Sequence, residues 1–141
     1  MAAIVVDASV VAKWYIPERD HEQARTVRDD YLNGRHELLA PALLPFEVVN
    51  ALKYSGHYED ERLTEAATTL PEYGIELIPY RDAGPAAEIA VDLDITLYDA
   101  SYLALAHTNE ATVYTADGRL LDSTDGSAYS DCCTHIREYS G

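Results

Sequence analysis

The stretch AIVVDASVVAKW, residues 3–14, runs four apolar residues into an aspartate and turns apolar again at Val10. Residues 3–6 are short, apolar and partly β-branched, which is the composition of a buried strand. From Ser9 to about Tyr15 the pattern reads as a short helix, stopped by Pro17. Asp7 falls at the junction, where a carboxylate interrupts an otherwise unbroken core segment.

Outward from this unit the chain alternates strands and helices. Residues 19–33 carry Ala24, Val27, Tyr31 and Leu32 at helical spacing and end at Gly34. LLAP, 38–41, reads as a strand, and a helix over 45–55 begins with Pro45 at a favoured first position. A further helix is expected over 60–72 and a strand over IELIPY, 75–80. Helices follow over 83–93 and 96–107, then the strand ATVYT, 111–115. DGRLLD opens a short helix or turn, and THIREY, 134–139, is expected as a last edge strand after a polar tail. This alternation implies βαβ units and a parallel sheet. No repeat, linker or low-complexity segment divides the chain, so residues 1–141 read as one domain.

With 141 residues the chain has a common single-domain size, and a hydrophobic fraction of 48% supports a packed core. Its charge is unusual. Twenty-five acidic residues against 10 basic ones give a net charge of −15, and only Lys13 and Lys53 are lysines. The acids are scattered, so they describe a surface rather than a tail. A surface of this kind suits a salt-loving source, because at about 1 M salt the Debye length shrinks to roughly 3 Å and self-repulsion is muted. Cys132 and Cys133 are adjacent and alone, with no CxxC or HExxH, which argues against a disulfide framework or structural zinc. Together with the absence of an 18-residue apolar run and of a basic leader, this predicts a cytoplasmic protein with no membrane span.

Four carboxylates fall at strand-to-helix junctions. Asp7 ends the first strand and Asp117 follows the strand 111–115, while Glu47 and Asp99 lie in first helical turns. In an open α/β sheet such positions gather at the edge where ligands bind. Each has a plain explanation alone. An acid in a first turn complements the helix dipole, Thr96 with Asp99 forms a capping box, Asp117 before Gly118 forms an Asx turn, and Asp7 or Ser9 caps the first helix. The set resists that explanation. Two carboxylates about 4 Å apart repel by about 4 kcal/mol at an effective dielectric near 20, and a divalent cation relieves this. Clustered hard oxygens suit Mg²⁺ or Mn²⁺ rather than zinc.

The blocks VVDASVVAKW, PFEVVNAL, LYDASYLALA and VYTADGRLL, in this order and spacing, resemble the four signature blocks of the PIN domain. More narrowly they resemble the VapC-type ribonuclease toxins of toxin–antitoxin modules. The resemblance covers about residues 4–121 and implies a three-layer α/β/α sandwich around a short parallel sheet. It implies that Asp7, Glu47, Asp99 and Asp117 form an acidic quartet that holds Mg²⁺ or Mn²⁺ and cleaves RNA. Ser9, Asn50 and Thr115 then stand as supporting groups. It also implies a homodimer and a separate antitoxin chain that blocks the acidic pocket.

The acidic surface stands against RNA binding, which ordinarily uses basic patches. Arg19, Arg25, Arg28 and Arg62, with Lys13 and Lys53, are the cations available for a groove. Two rival readings are a PIN-like domain that binds without cleaving, and a phosphate-receiver domain. The second wants paired acids after the first strand and a late lysine, and no lysine occurs beyond position 53. The histidines share no ligand spacing and suit surface or cap positions. Tyr98, Tyr102 and Tyr114 are expected to pack with their hydroxyls at the surface, and Trp14 to lie in the core or at a dimer interface.

Overall fold

The computed structural model describes residues 2–141. Among them five strands form one sheet: β1 (Ala3–Val6), β2 (Glu37–Pro41), β3 (Glu76–Ile78), β4 (Thr112–Thr115) and β5 (Cys133–His135). Their order is β3-β2-β1-β4-β5, and every neighbouring pair is parallel. Parallel neighbours need crossover connections, and helices supply them. These are α1 (Ala8–Val11), α2 (His21–Leu32), α3 (Leu44–Tyr54), α4 (Asp60–Thr69), α5 (Gly84–Leu93), α6 (Leu97–Thr108) and α7 (Gly118–Thr124). The architecture is a three-layer α/β/α sandwich, as the sequence predicts.

The chain starts in the centre of the sheet, builds outward through β2 and β3, then returns to the other side of β1 for β4 and β5. The reversal lies between β1 and β4. There the connections leave in opposite directions, and the carboxyl ends of the two strands open onto a crevice. This order differs from the 2-1-3-4-5 order of receiver-type sheets, which removes the phosphate-receiver reading.

Val5, Val6, Val113 and Leu38 form the buried centre of the sheet, as expected for strands covered on both faces. The helix α6 packs on β1, β2 and β4, and α5 packs on α6. Elsewhere α1 contacts α3, and α3 contacts α4. Trp14 is in the core: its Nε1 donates to the Ala24 carbonyl at 2.8 Å, and its ring leans on Tyr73 with centroids 5.0 Å apart.

Several boundaries differ from the sequence reading for local reasons. The helix expected to Leu70 and beyond stops at Thr69, and Leu70–Tyr73 tighten into a 3-10 turn around Pro71. The strand expected over 75–80 is trimmed to Glu76–Ile78, before Pro79. The last strand begins at Cys133 and is short, because Ile136–Glu138 turn into a 3-10 segment. The helix over 19–33 starts only at His21, behind Asp20 in the left-handed region at φ 65°.

Candidate active site

Asp7 leaves β1 at the crevice and is 8% exposed. It sits at the N-cap position of α1 yet makes no capping hydrogen bond there. Its carboxylate is held by two hydroxyls: Ser9 Oγ donates to Oδ2 at 2.8 Å, and Thr115 Oγ1 donates to the same oxygen at 2.7 Å. Each hydroxyl also accepts a backbone N–H from the segment after β4. Ser9 Oγ accepts from Ala116 at 2.9 Å, and Thr115 Oγ1 from Asp117 at 3.0 Å. The protons of both hydroxyls are thereby committed to Asp7, and Oδ1 stays clear of them.

Asp117 caps α7, its Oδ1 accepting the N–H of Arg119 at 2.9 Å. Thr96 caps α6, its Oγ1 accepting the N–H of Asp99 at 3.1 Å. The capping reading of Asp117 therefore holds, and Thr96 supplies its half of the expected capping box through the Asp99 N–H. In α3, Pro45 occupies the first turn together with Glu47. Tyr102 Oη donates to Glu47 Oε1 at 2.6 Å.

Electrostatics ties the four acids together. Burial pushes the Asp7 carboxyl up, against the pull of the Thr115 and Ser9 hydrogen bonds, and the charge of Asp99 adds to the rise. Burial raises Glu47 too, with the Tyr102 bond opposing and Asp7 and Asp99 reinforcing. Asp99 is raised by burial and by Asp117. Asp7, Glu47 and Asp99 thus each feel at least one other acid, from separate elements of the chain. Among the described residues no three His, Cys, Asp or Glu side chains close into a ready-made ion cage. The couplings put Asp7, Glu47 and Asp99 within reach of one another, with Asp117 beside Asp99. Their chemistry fits a hard divalent cation: the donors are all oxygens, and the charges of Asp7, Glu47 and Asp99 are penalised by burial and by neighbouring acids.

Asn50 lies one turn past Glu47 but is exposed, and it lines a shallow depression of about 420 Å³ with Phe46, Val49 and Lys53. The structure brings Ser9 and Thr115 onto Asp7 and gives Asn50 no bond to an acid. The expected cations are partly spent. Lys13 is buried 3.7 Å from Glu18, and Arg28 pairs with Asp29 at 3.1 Å. Arg62 stacks on Tyr58, and Lys53 sits over Tyr54. Tyr102 corrects the sequence reading: its ring is fully buried, and its hydroxyl meets Glu47 rather than solvent. The available signal was its position three residues after Asp99, on the same face of α6. His36 is also buried rather than at the surface, beside Tyr31 and Tyr139. His135 does act as a cap, its Nδ1 accepting from Arg137.

Fold and acidic edge together define a PIN-type α/β/α protein. The PIN domain model matches residues 4–126, and the chain belongs to the PIN-domain family. Ribonuclease VapC3 of Pyrobaculum aerophilum is 30% identical over 125 residues, covering 84% of this chain and 92% of that protein. Among solved structures, PAE2754 from Pyrobaculum aerophilum superposes with a TM-score of 0.65 at 22% identity, over 96% of this chain and 90% of that one. FitAcB from Neisseria gonorrhoeae gives 0.58 at 17% identity, over 88% of this chain and 94% of that one. At these identities the two structures speak for the fold.

Proposed function

We propose that this chain is a divalent-metal-dependent endoribonuclease and the toxin of a toxin–antitoxin pair, acting as a single domain in the cytoplasm. The observation that carries the reading is Asp7, a buried carboxylate oriented by two hydroxyls and coupled to Asp99 and Glu47, in a chain 30% identical to Ribonuclease VapC3. Asp7 and Asp99 would be the principal ligands of Mg²⁺ or Mn²⁺, with Asp117 completing the set. Glu47 would hold a second ion or orient the attacking water. Ser9 and Thr115 would aim Asp7 and oppose the rise in its pKa, and Asn50 would meet the RNA backbone beyond Glu47. Such an ion supplies two things when bound: easier deprotonation of water and neutralisation of charge on the phosphate under attack. No described helix is long and apolar enough to cross a membrane. A homodimer and a separate antitoxin chain are the expected partners.

The test is cleavage of RNA by the purified chain in high KCl, with Mg²⁺, with Mn²⁺ and with EDTA, beside Asp7→Asn. Metal-dependent cleavage that disappears in the variant is the expected result. Full cleavage by Asp7→Asn overturns the site assignment. Binding of RNA without cleavage under any metal favours the rival reading of a non-cleaving PIN domain, for which the shortage of free cations and the −15 charge offer little electrostatic help.

A further inference from the structure

Tyr102 is the largest fully buried side chain of the molecule, and its one polar atom is spent on Glu47 across 55 residues of sequence. The bond joins α6, which carries Asp99, to α3. A ring needed only for packing would be served by Phe without burying a hydroxyl. The same device recurs at two other acids. Asp7 has Oδ2 filled by Ser9 and Thr115, and Asp117 has Oδ1 filled by the N–H of Arg119. Three of the four carboxylates therefore have one oxygen engaged by a donor of the protein.

We propose, resting on the metal-site reading above, that Tyr102 is a positioning residue that limits Glu47 to a single oxygen, Oε2, toward a divalent cation. Ligands restricted in this way select a small octahedral ion against Ca²⁺. The physical reason is coordination demand. Ca²⁺ takes about 6–8 oxygens and readily accepts both oxygens of one carboxylate, whereas Mg²⁺ keeps strict octahedral geometry and retains water. A carboxylate with one oxygen tied to a buried hydroxyl serves the second ion and starves the first.

The experiment is calorimetric titration of the metal-free chain with MnCl₂, MgCl₂ and CaCl₂, for the wild type, Tyr102→Phe, Glu47→Gln and the double variant. Tyr102→Phe is expected to narrow the preference for Mn²⁺ over Ca²⁺ by about 3–10-fold, the value of one hydrogen bond. In the Glu47→Gln background it should change nothing further, because it acts through that acid. An unchanged preference, or an equal change in both backgrounds, overturns the proposal; a merely structural tyrosine would lower the melting temperature and leave the ion preference alone. Wild-type protein that binds none of the three ions overturns the metal reading itself, and this inference with it. If Tyr102→Phe does not fold, water-proton relaxation of the Mn²⁺-loaded chain decides. Glu47→Ala should free about one coordination position for water. A gain of two positions, or of none, refutes single-oxygen engagement.

Discussion

Replacing Thr115 with valine keeps the shape of a fully buried side chain and removes only its hydroxyl. Two bonds go with it: the 2.7 Å donation to Asp7 Oδ2 and the 3.0 Å acceptance from the Asp117 N–H. A hydrogen bond to a charged group contributes about 1.5–3 kcal/mol, and an unpaired, partly buried N–H costs about another 1 kcal/mol. The added methyl returns about 0.8 kcal/mol. The net loss is about 2–3 kcal/mol. Unfolding entropy of about 2.1 cal/mol/K per residue, taken over 141 residues, is about 0.3 kcal/mol per degree. Thr115→Val should therefore melt about 7–10 °C below the wild type in EDTA at neutral pH, followed by circular dichroism. Thr115→Ser retains both bonds and loses one methyl, so it should fall by only about 3 °C. A valine variant within about 2 °C of wild type, or a serine variant as unstable as the valine, refutes the account of Thr115 as the group that joins Asp7 to the segment after β4.

Because burial and Asp99 hold the Asp7 carboxyl above its ordinary 3.8, between that pH and the raised native pKa the native state binds a proton that the unfolded chain has released. Stability of the metal-free protein thus falls as pH rises from about that value through the raised native pKa. Asp7→Asn should be the more stable protein in EDTA at pH 7 and lose this advantage toward pH 3, as thermal melts across pH will read; a destabilised variant at pH 7 contradicts it. Mg²⁺ or Mn²⁺ at about 100 times its dissociation constant should stabilise the wild type by about 2.7 kcal/mol and leave Asp7→Asn unmoved. Raising KCl from about 0.1 to about 1 M should raise the melting temperature of the metal-free chain, since the Debye length drops from about 10 to about 3 Å across a surface of −15 charge; a fall in melting temperature would count against self-repulsion as the dominant surface force. Cys133 is buried, and its thiol is pushed up to about 12 by burial and by its neighbour Cys132. At pH 8 Ellman's reagent should therefore leave Cys133 untouched until the fold is opened by denaturant.

What sequence reasoning recovers here depends on distance along the chain. The strand AIVV, the helix opened by Pro45 and the capped helix 97–108 are all written in local signals, and the structure has them within a residue or two. Asp117 and Thr96 are capping residues by local rules and remain so. Where proline sits inside an apolar run, as at Pro71 and Pro79, the run is cut shorter than its pattern suggests. The misses are long-range. A tyrosine on an amphipathic helix announces burial of its ring, but nothing nearby shows that its hydroxyl finds Glu47 on α3. Lys13 looks like a solvent-facing cation in sequence, and only the packing of the first helical segment draws it inward against Glu18. The site residues most legible from sequence are those set by strand ends; the hydroxyls that aim them are set by tertiary contact.

The arrangement of strands also has a consequence for synthesis. Asp7 is made 108 residues before Thr115, whose hydroxyl completes the hold on its carboxylate, and β4 enters the sheet beside β1 only after β2 and β3 have been laid down. Chains emerge and fold from the amino terminus, and contacts between distant residues form late. A growing chain that has released β1 to α5 holds Asp7 and Glu47 but lacks Asp99, Thr115 and Asp117. The acidic edge is therefore incomplete until β4 and the segment after it have been made.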